Sequence, residues 1–280
     1  MKYAISTKKA ADIFNVNVST IKRWSDNGIL KCHKTAGGHR KFSIEDIKIH
    51  AEELNLVISD FLILNSTVNL VKDISDRKTT KLIKALEKLL LKGDSKKAEH
   101  FLYHLYLNNL SIQEIFDNIV SPCMKNIGLK WLDNLLKIED EHIASKALID
   151  ALYSFEKSIT SIKSNGKKAI CVCIENEFHE IGILCVKITL EHLGWKVIYP
   201  GSDLPLKSLS DLIKKIKPDL VCLSVKGNYM KNKVSEIIEL SVKNNIMIVN
   251  GGNPDLKSVK GIVYCASIGD LIYELKNNFK

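Results

Sequence analysis

The chain has 280 residues, 45% hydrophobic and 26% charged, with a net charge of +9 at neutral pH. That length is expected to carry two or three domains, each able to bury its own core. No apolar run reaches the roughly 18 residues of a membrane helix, and no secretory signal is evident at the start. Seven cysteines without zinc-like pairing point to reduced thiols in a cytoplasmic protein.

The charge is unevenly spread, with ten Lys or Arg against four Asp or Glu in residues 1–50. Thr7 to Phe14 predicts a short amphipathic helix with Ala10, Ala11 and Phe14 apolar. Asn15-Val16-Asn17 forms a turn, and the stretch from Val18 to Trp24 opens a second helix with Ser19 as an N-cap option. Two short helices across a tight turn make a helix-turn-helix, whose second helix enters the major groove. After Gly28-Ile29-Leu30 comes Thr35 to Phe42, where Gly37-Gly38 permits a tight wing, and then Ser43 to Ile47. This pattern resembles the winged DNA-binding domain of MerR-family regulators over residues 1–55. The resemblance implies double-stranded operator DNA as partner. Ser19, Thr20, Lys22 and Arg23 would lie on the groove-entering helix, while His39, Arg40 and Lys41 would reach phosphates or the minor groove. A solvated basic face is the plainer reading of such charges. Trp24 falls on the apolar side with Ile21 and is read as core.

The middle of the chain is helical. Apolar spacing predicts helices near 79–91, 95–108, 111–130 and 139–162, broken at Gly93-Asp94 and Asn108-Asn109, with Ser111 to Glu114 as a capping box. Four such helices predict a bundle over 76–163. The stretch 55–78 is read as a packed connector and Ser164-Asn165-Gly166 as a linker.

Strands then alternate with helices: strands at Lys168 to Ile174, Trp195 to Tyr199, Asp219 to Ser224, Ile246 to Val249 and Ile262 to Cys265, helices at Ile181 to Leu193, Leu206 to Ile216 and Ile268 to Asn277. That alternation predicts a doubly wound parallel sheet of flavodoxin or Rossmann type over 167–280, making the whole chain multidomain α and α/β. Cys171-Val172-Cys173 is read as core filler within a strand. Three motifs sit at strand ends: Glu177-Phe178-His179-Glu180-Ile181-Gly182, Ser224 after 41 intervening residues, and Gly251-Gly252. Ligands of open α/β sheets bind at that edge. An imidazole suits cobalt, and an acid two residues away can fix its tautomer. An exposed loop histidine is the plainer reading of His179 alone. Together the motifs resemble the cobalamin-binding signature. By that resemblance His179 is the lower cobalt ligand, Glu177 its partner, and Gly182 leaves room for the ligand. Ser224, Gly251 and Gly252 would meet the nucleotide tail, and Lys226 departs from the residue usual after the serine.

Within the bundle, Trp131 is followed after nine residues by Glu141-His142. With the motifs downstream this resembles the light-responsive cobalamin repressors of the MerR family, the CarH type. The resemblance implies adenosylcobalamin as cofactor, with Trp131, Glu141 and His142 over the adenosyl group. It also implies a homo-oligomer, a tetramer by analogy, that grips operator DNA in the dark and parts in light, without catalysis. Leu132 departs from the histidine that takes the upper cobalt position after photolysis in well-matched members. Two other readings stand beside it: a repressor that keeps this fold but answers to a protein partner without cobalamin, and a corrinoid methyl carrier.

Overall fold

The computed structural model describes residues 5–14, 16–53, 73, 76–159, 163–225, 234–251, 257 and 259–279. Two units divide the chain, Met1–Thr160 and Ser161–Lys280.

In the first unit, β1 (Ile5–Ser6) leads into α1 (Thr7–Phe14) and α2 (Val18–Asp26). A hairpin of β2 (His33–Lys34) and β3 (Arg40–Phe42) follows, then α3 (Ile44–Glu53). β3 is the middle strand of a three-stranded antiparallel sheet, ordered β1-β3-β2. Ala10, Ala11, Phe14, Ile21, Leu30, Phe42 and Ile47 are buried and form the small core. Trp24 packs edge-on against Phe14 and His50, ring centroids 5.5 and 4.7 Å away, as its apolar-side position predicts. Gly38 turns the wing at φ +76°, a backbone that favours glycine. Asn17, not Ser19, is the residue before α2, and it caps without a side-chain bond. Ser19 therefore sits inside the first turn. Asn15 lies outside the described residues.

The helical part comprises α4 (Thr79–Leu90), α5 (Ser95–Leu107), α6 (Ile112–Ile115), a π-turn (Phe116–Val120), α7 (Ser121–Leu132) and α8 (Ile138–Ile159). The third predicted helix is thus one rod with a π-helical segment inside it. Ser111 and Glu114 form the expected capping box, with bonds of 3.1 and 2.9 Å. Phe155 of α8 centres the core, meeting Tyr103, Tyr106 and Phe116 edge-on. His104 is buried in α5, and desolvation lowers its pKa to about 4, so the ring stays neutral at neutral pH. Most of the predicted connector 55–78 lies outside the described residues.

The second unit is a five-stranded parallel sheet ordered β5-β4-β6-β7-β8. Its strands are β4 (Lys168–Cys173), β5 (Lys196–Ile198), β6 (Leu220–Ser224), β7 (Met247–Gly251) and β8 (Val263–Cys265). Helices α9 (Ile181–His192), α10 (Leu206–Ile216), α11 (Val234–Asn244) and α12 (Ile268–Asn278) cross between them. α11 is absent from the expectations above. Period-two alternation divides the strands cleanly: Ile170, Val172, Val221 and Leu223 pack under α10, while Ala169, Cys171, Cys173 and Cys222 pack under α9 and α12. The strand order reverses between β4 and β6, where open sheets of this kind place their ligand.

Ser164-Asn165-Gly166 is fastened rather than free. Asn165 donates its backbone N–H to Gly194 O at 3.0 Å and its side-chain amide to Leu193 O at 3.1 Å. Gly194 is obligatory there, because a Cβ would stand 2.7 Å from Lys163 O at φ +86°. Among the described residues no helix is long and apolar enough to cross a membrane.

Candidate functional site

Parallel pairing aligns the carboxyl ends of the central strands. Cys173 pairs with Ser224, Ser224 with Gly251, and Gly251 with Cys265, forming one row along the sheet edge. Three motifs far apart in sequence thereby come together, with β4 and β6 about 5 Å apart. Gly252 and Lys226 lie outside the described residues.

One residue beyond that row the chain leaves β4 in a loop, where Glu177 N–H donates to Ile174 O at 2.9 Å. Glu177 is 5% exposed. Its Oε1 accepts from His179 N–H at 2.8 Å and meets His179 Nδ1 at 2.7 Å. A buried carboxylate is costly unless hydrogen-bonded, and these bonds supply that compensation. With the acceptor at Nδ1, the ring proton sits there and the Nε2 lone pair is left for a metal. The imidazole itself is 74% exposed. Among the described residues no three His, Cys, Asp or Glu side chains converge on an ion position. His179 is thus a single donor, suited to a metal that arrives with its other ligands.

The surroundings fit a large flat ligand. A Cβ on Gly182 would meet nothing within 4 Å, so the chain's own packing does not demand glycine there. A Cβ on Gly251 would make only an ordinary contact, 3.6 Å from Cys265 O. Ser224 is half-buried and bonds the Cys173 thiol. Burial pushes that thiol up to about 12, so it remains protonated at neutral pH and offers no competing thiolate. Cys171 and Cys173 are both fully buried, as core filler should be. Phe178, between Glu177 and His179, is 64% exposed, an apolar surface beside the donor that no motif singled out.

In the helical part, Trp131 is the next-to-last residue of α7 and is 41% exposed. Glu141 and His142 lie in the first turns of α8. Glu141 is held from two sides, by His142 Nδ1 at 2.7 Å and by the Ser145 hydroxyl at 2.6 Å. Leu132, Leu135, Ile138 and Ile143 are exposed around the same connection. Exposed apolar side chains gathered in one stretch of chain make it a candidate binding surface. Part of the sequence signal for it was available: Ile138 and Ile143 fall off the buried stripe of Ala144, Ala147, Leu148, Ala151 and Phe155. Lys130 pairs with Glu87, buried in α4, and ties the end of α7 to the bundle.

At the helix-turn-helix, Ser19, Lys22 and Arg23 are exposed on α2, Thr20 is half-buried, and His39 is exposed at the wing. Lys41 is half-buried in β3. Arg40 stands differently. Its guanidinium bonds Asp26 at 2.5 Å, its side chain is 19% exposed, and the pairing lowers the Asp26 pKa. Arg40 therefore joins the wing to the end of α2.

Comparison with known proteins follows the same divisions. Residues 5–54 match a helix-turn-helix domain family, and residues 82–154 and 167–265 each match a B12 binding domain family. The HTH-type transcriptional repressor CarH of Myxococcus xanthus is 21% identical over 232 residues, covering 77% of this chain and 76% of the relative. CarA of the same organism is 26% identical over 115 residues, 41% of this chain and 38% of its own length. The trimethylamine corrinoid protein of Methanosarcina barkeri is 25% identical over 175 residues, 58% of this chain and 80% of the relative. The solved monomethylamine corrinoid protein of Methanosarcina barkeri shares the fold, with a TM-score of 0.59 at 15% identity over 71% of this chain and 99% of that one. The chain thus carries a helix-turn-helix domain followed by two B12-binding domains, and it is similar to CarH along most of both chains.

Proposed function

We propose that the chain is an adenosylcobalamin-dependent, light-responsive repressor that holds double-stranded operator DNA as an oligomer in the dark and leaves it after illumination. The observation that carries this is the buried Glu177 fixing an exposed His179 at the sheet's switch point, in a chain that opens with a helix-turn-helix. Adenosylcobalamin supplies one piece of chemistry when bound, a cobalt–carbon bond that light breaks. The protein's residues do the rest. His179 is the lower ligand through Nε2, and Ser224, Gly251 and Gly252 receive the nucleotide tail. Trp131, Glu141 and His142 cover the adenosyl group, and losing that group removes contacts that favoured the dark state. A ligand shifts a conformational equilibrium only through such differential contacts. Leu132 has no ligating atom, so this position would supply no protein ligand to the cofactor after illumination.

The test is an absorbance spectrum of protein mixed with adenosylcobalamin in darkness, desalted, then exposed to green light. A corrinoid spectrum that survives desalting and changes irreversibly, to a form with one imidazole, is the expected result. Loss of all corrinoid on desalting would overturn the sensor reading and favour a repressor that works without cobalamin. Turnover beside a methyltransferase, with no binding to duplex DNA, would favour a methyl carrier.

A further inference from the structure

We propose that Asp203, which belongs to none of the binding motifs, is the positioning residue that holds His179 toward cobalt; the role rests on the proposed cobalamin site. The His179 loop is braced from outside, by the segment that follows β5. Asp203 Oδ1 accepts the Asn176 N–H at 2.8 Å, and Asp203 N–H donates back to Glu177 O at 3.2 Å. Glu175 N–H donates to Leu204 O, and Leu204 N–H to Cys173 O, both at 3.1 Å. At the far end of the loop the Tyr199 hydroxyl donates to Glu180 Oε2 at 2.7 Å.

Two facing turns therefore interlock. Asn176 at φ +65° and Asp203 at φ +57° both adopt the left-handed backbone, which residues other than glycine rarely enter and which Asn and Asp tolerate best. Such a conformation persists when its surroundings over-determine it. For Asn176 the over-determining contact is the bond from its own amide to the Asp203 carboxylate. Glu177 is the next residue along. Its carbonyl is held by Asp203, and its carboxylate holds both the backbone and the ring of His179. The path from Asp203 to the imidazole is thus an unbroken series of direct bonds. Without it Glu177 keeps its chemistry but loses its fixed place, and the Nε2 lone pair loses its direction.

Two variants separate the carboxylate's role from the backbone's. Asp203→Gly keeps the left-handed turn accessible and removes the acceptor. Asp203→Asn keeps an acceptor oxygen and the same tolerance for the turn. In the full-length cofactor-free chain, amide hydrogen exchange at Asn176 and His179 reads the brace directly. Exchange should quicken about tenfold or more in Asp203→Gly and stay near wild type in Asp203→Asn. In chain whose histidines carry the spin-half isotope of nitrogen, loaded with cob(II)alamin, electron paramagnetic resonance reads the histidine nitrogen as a doublet that the cofactor's own benzimidazole cannot give. That splitting should be retained in wild type and Asp203→Asn and reduced in Asp203→Gly. The proposal falls if Asp203→Gly leaves both amide protection and nitrogen splitting unchanged, or if Asp203→Asn behaves like Asp203→Gly. A wild-type chain that retains no cobalamin would sink the proposed function instead, and amide exchange would still decide whether Asp203 holds the loop.

Discussion

At the scale of single residues, Glu177 shows how this site is made. A carboxylate at 5% exposure has left water, and His179 gives it two hydrogen bonds in return. The pairing is reciprocal: the acid is stabilised by the histidine's two donors, and the histidine is held in one tautomer with one nitrogen outward. Partners of metal-bound histidines contribute about 10- to 100-fold in metal affinity. Glu177→Ala should therefore weaken dark retention of adenosylcobalamin by about that factor, measured by equilibrium dialysis. His179→Ala should abolish the splitting that isotope-labelled histidine nitrogen gives to cob(II)alamin. Equal affinity in wild type and Glu177→Ala would mean that the buried acid serves the loop's fold and not the metal.

At the scale of elements, α2 and the wing act as a pair because Asp26 and Arg40 join them. Lys22 and Arg23 are exposed cations on the face of α2, whereas Arg40 already has a carboxylate. A phosphate contact contributes about 0.9 to the slope of log affinity against log salt. Lys22→Ala should lower that slope by about 0.9 for each DNA-bound domain, read by fluorescence anisotropy across a salt series. Arg40→Ala should weaken binding with a smaller change in slope, because the lost bond lies within the protein. Equal slopes in the two variants would show that Arg40 leaves Asp26 for a phosphate. The same contrast explains what could be read from the chain beforehand. Lys168 to Ile174 and Leu206 to Ile216 carry their periodicity locally, so their limits were close to those observed. Glu177, His179 and Gly182 lie within six residues of one another, and a local motif is legible. The Asp26–Arg40 pair spans 14 residues and the Asn176–Asp203 brace spans 27, and neither leaves any pattern in its own segment. β1 is two residues long and exists only because β3 pairs with it. The π-turn at Phe116–Val120 adds to the backbone without interrupting the apolar spacing, so one continuous helix was the natural expectation.

At the scale of the whole molecule, the charge and the cofactor site lie in different units of the chain. Residues 1–50 hold +6 of the total +9, and His179, the proposed cobalt ligand, belongs to the second unit. A cofactor event there can change DNA binding without altering a single phosphate contact, provided it changes how many helix-turn-helix domains act together. α2 has only nine residues, so one domain reads little of a duplex. Joining several domains makes each later contact intramolecular, and the gain in avidity can reach about 100- to 10,000-fold without a new contact. Under the proposed function, Trp131, Leu132 and Leu135, exposed in the helical part, would be the surface through which the cofactor's state controls that joining. The expected outcome is a dark, adenosylcobalamin-loaded chain of several copies by analytical ultracentrifugation, and a smaller species after green light. Affinity for a repeated operator should fall in parallel, while affinity for a single half-site stays constant. The half-site arm decides the mechanism. If light weakens single-site binding as much as multi-site binding, the cofactor acts on the helix-turn-helix itself and not on its assembly.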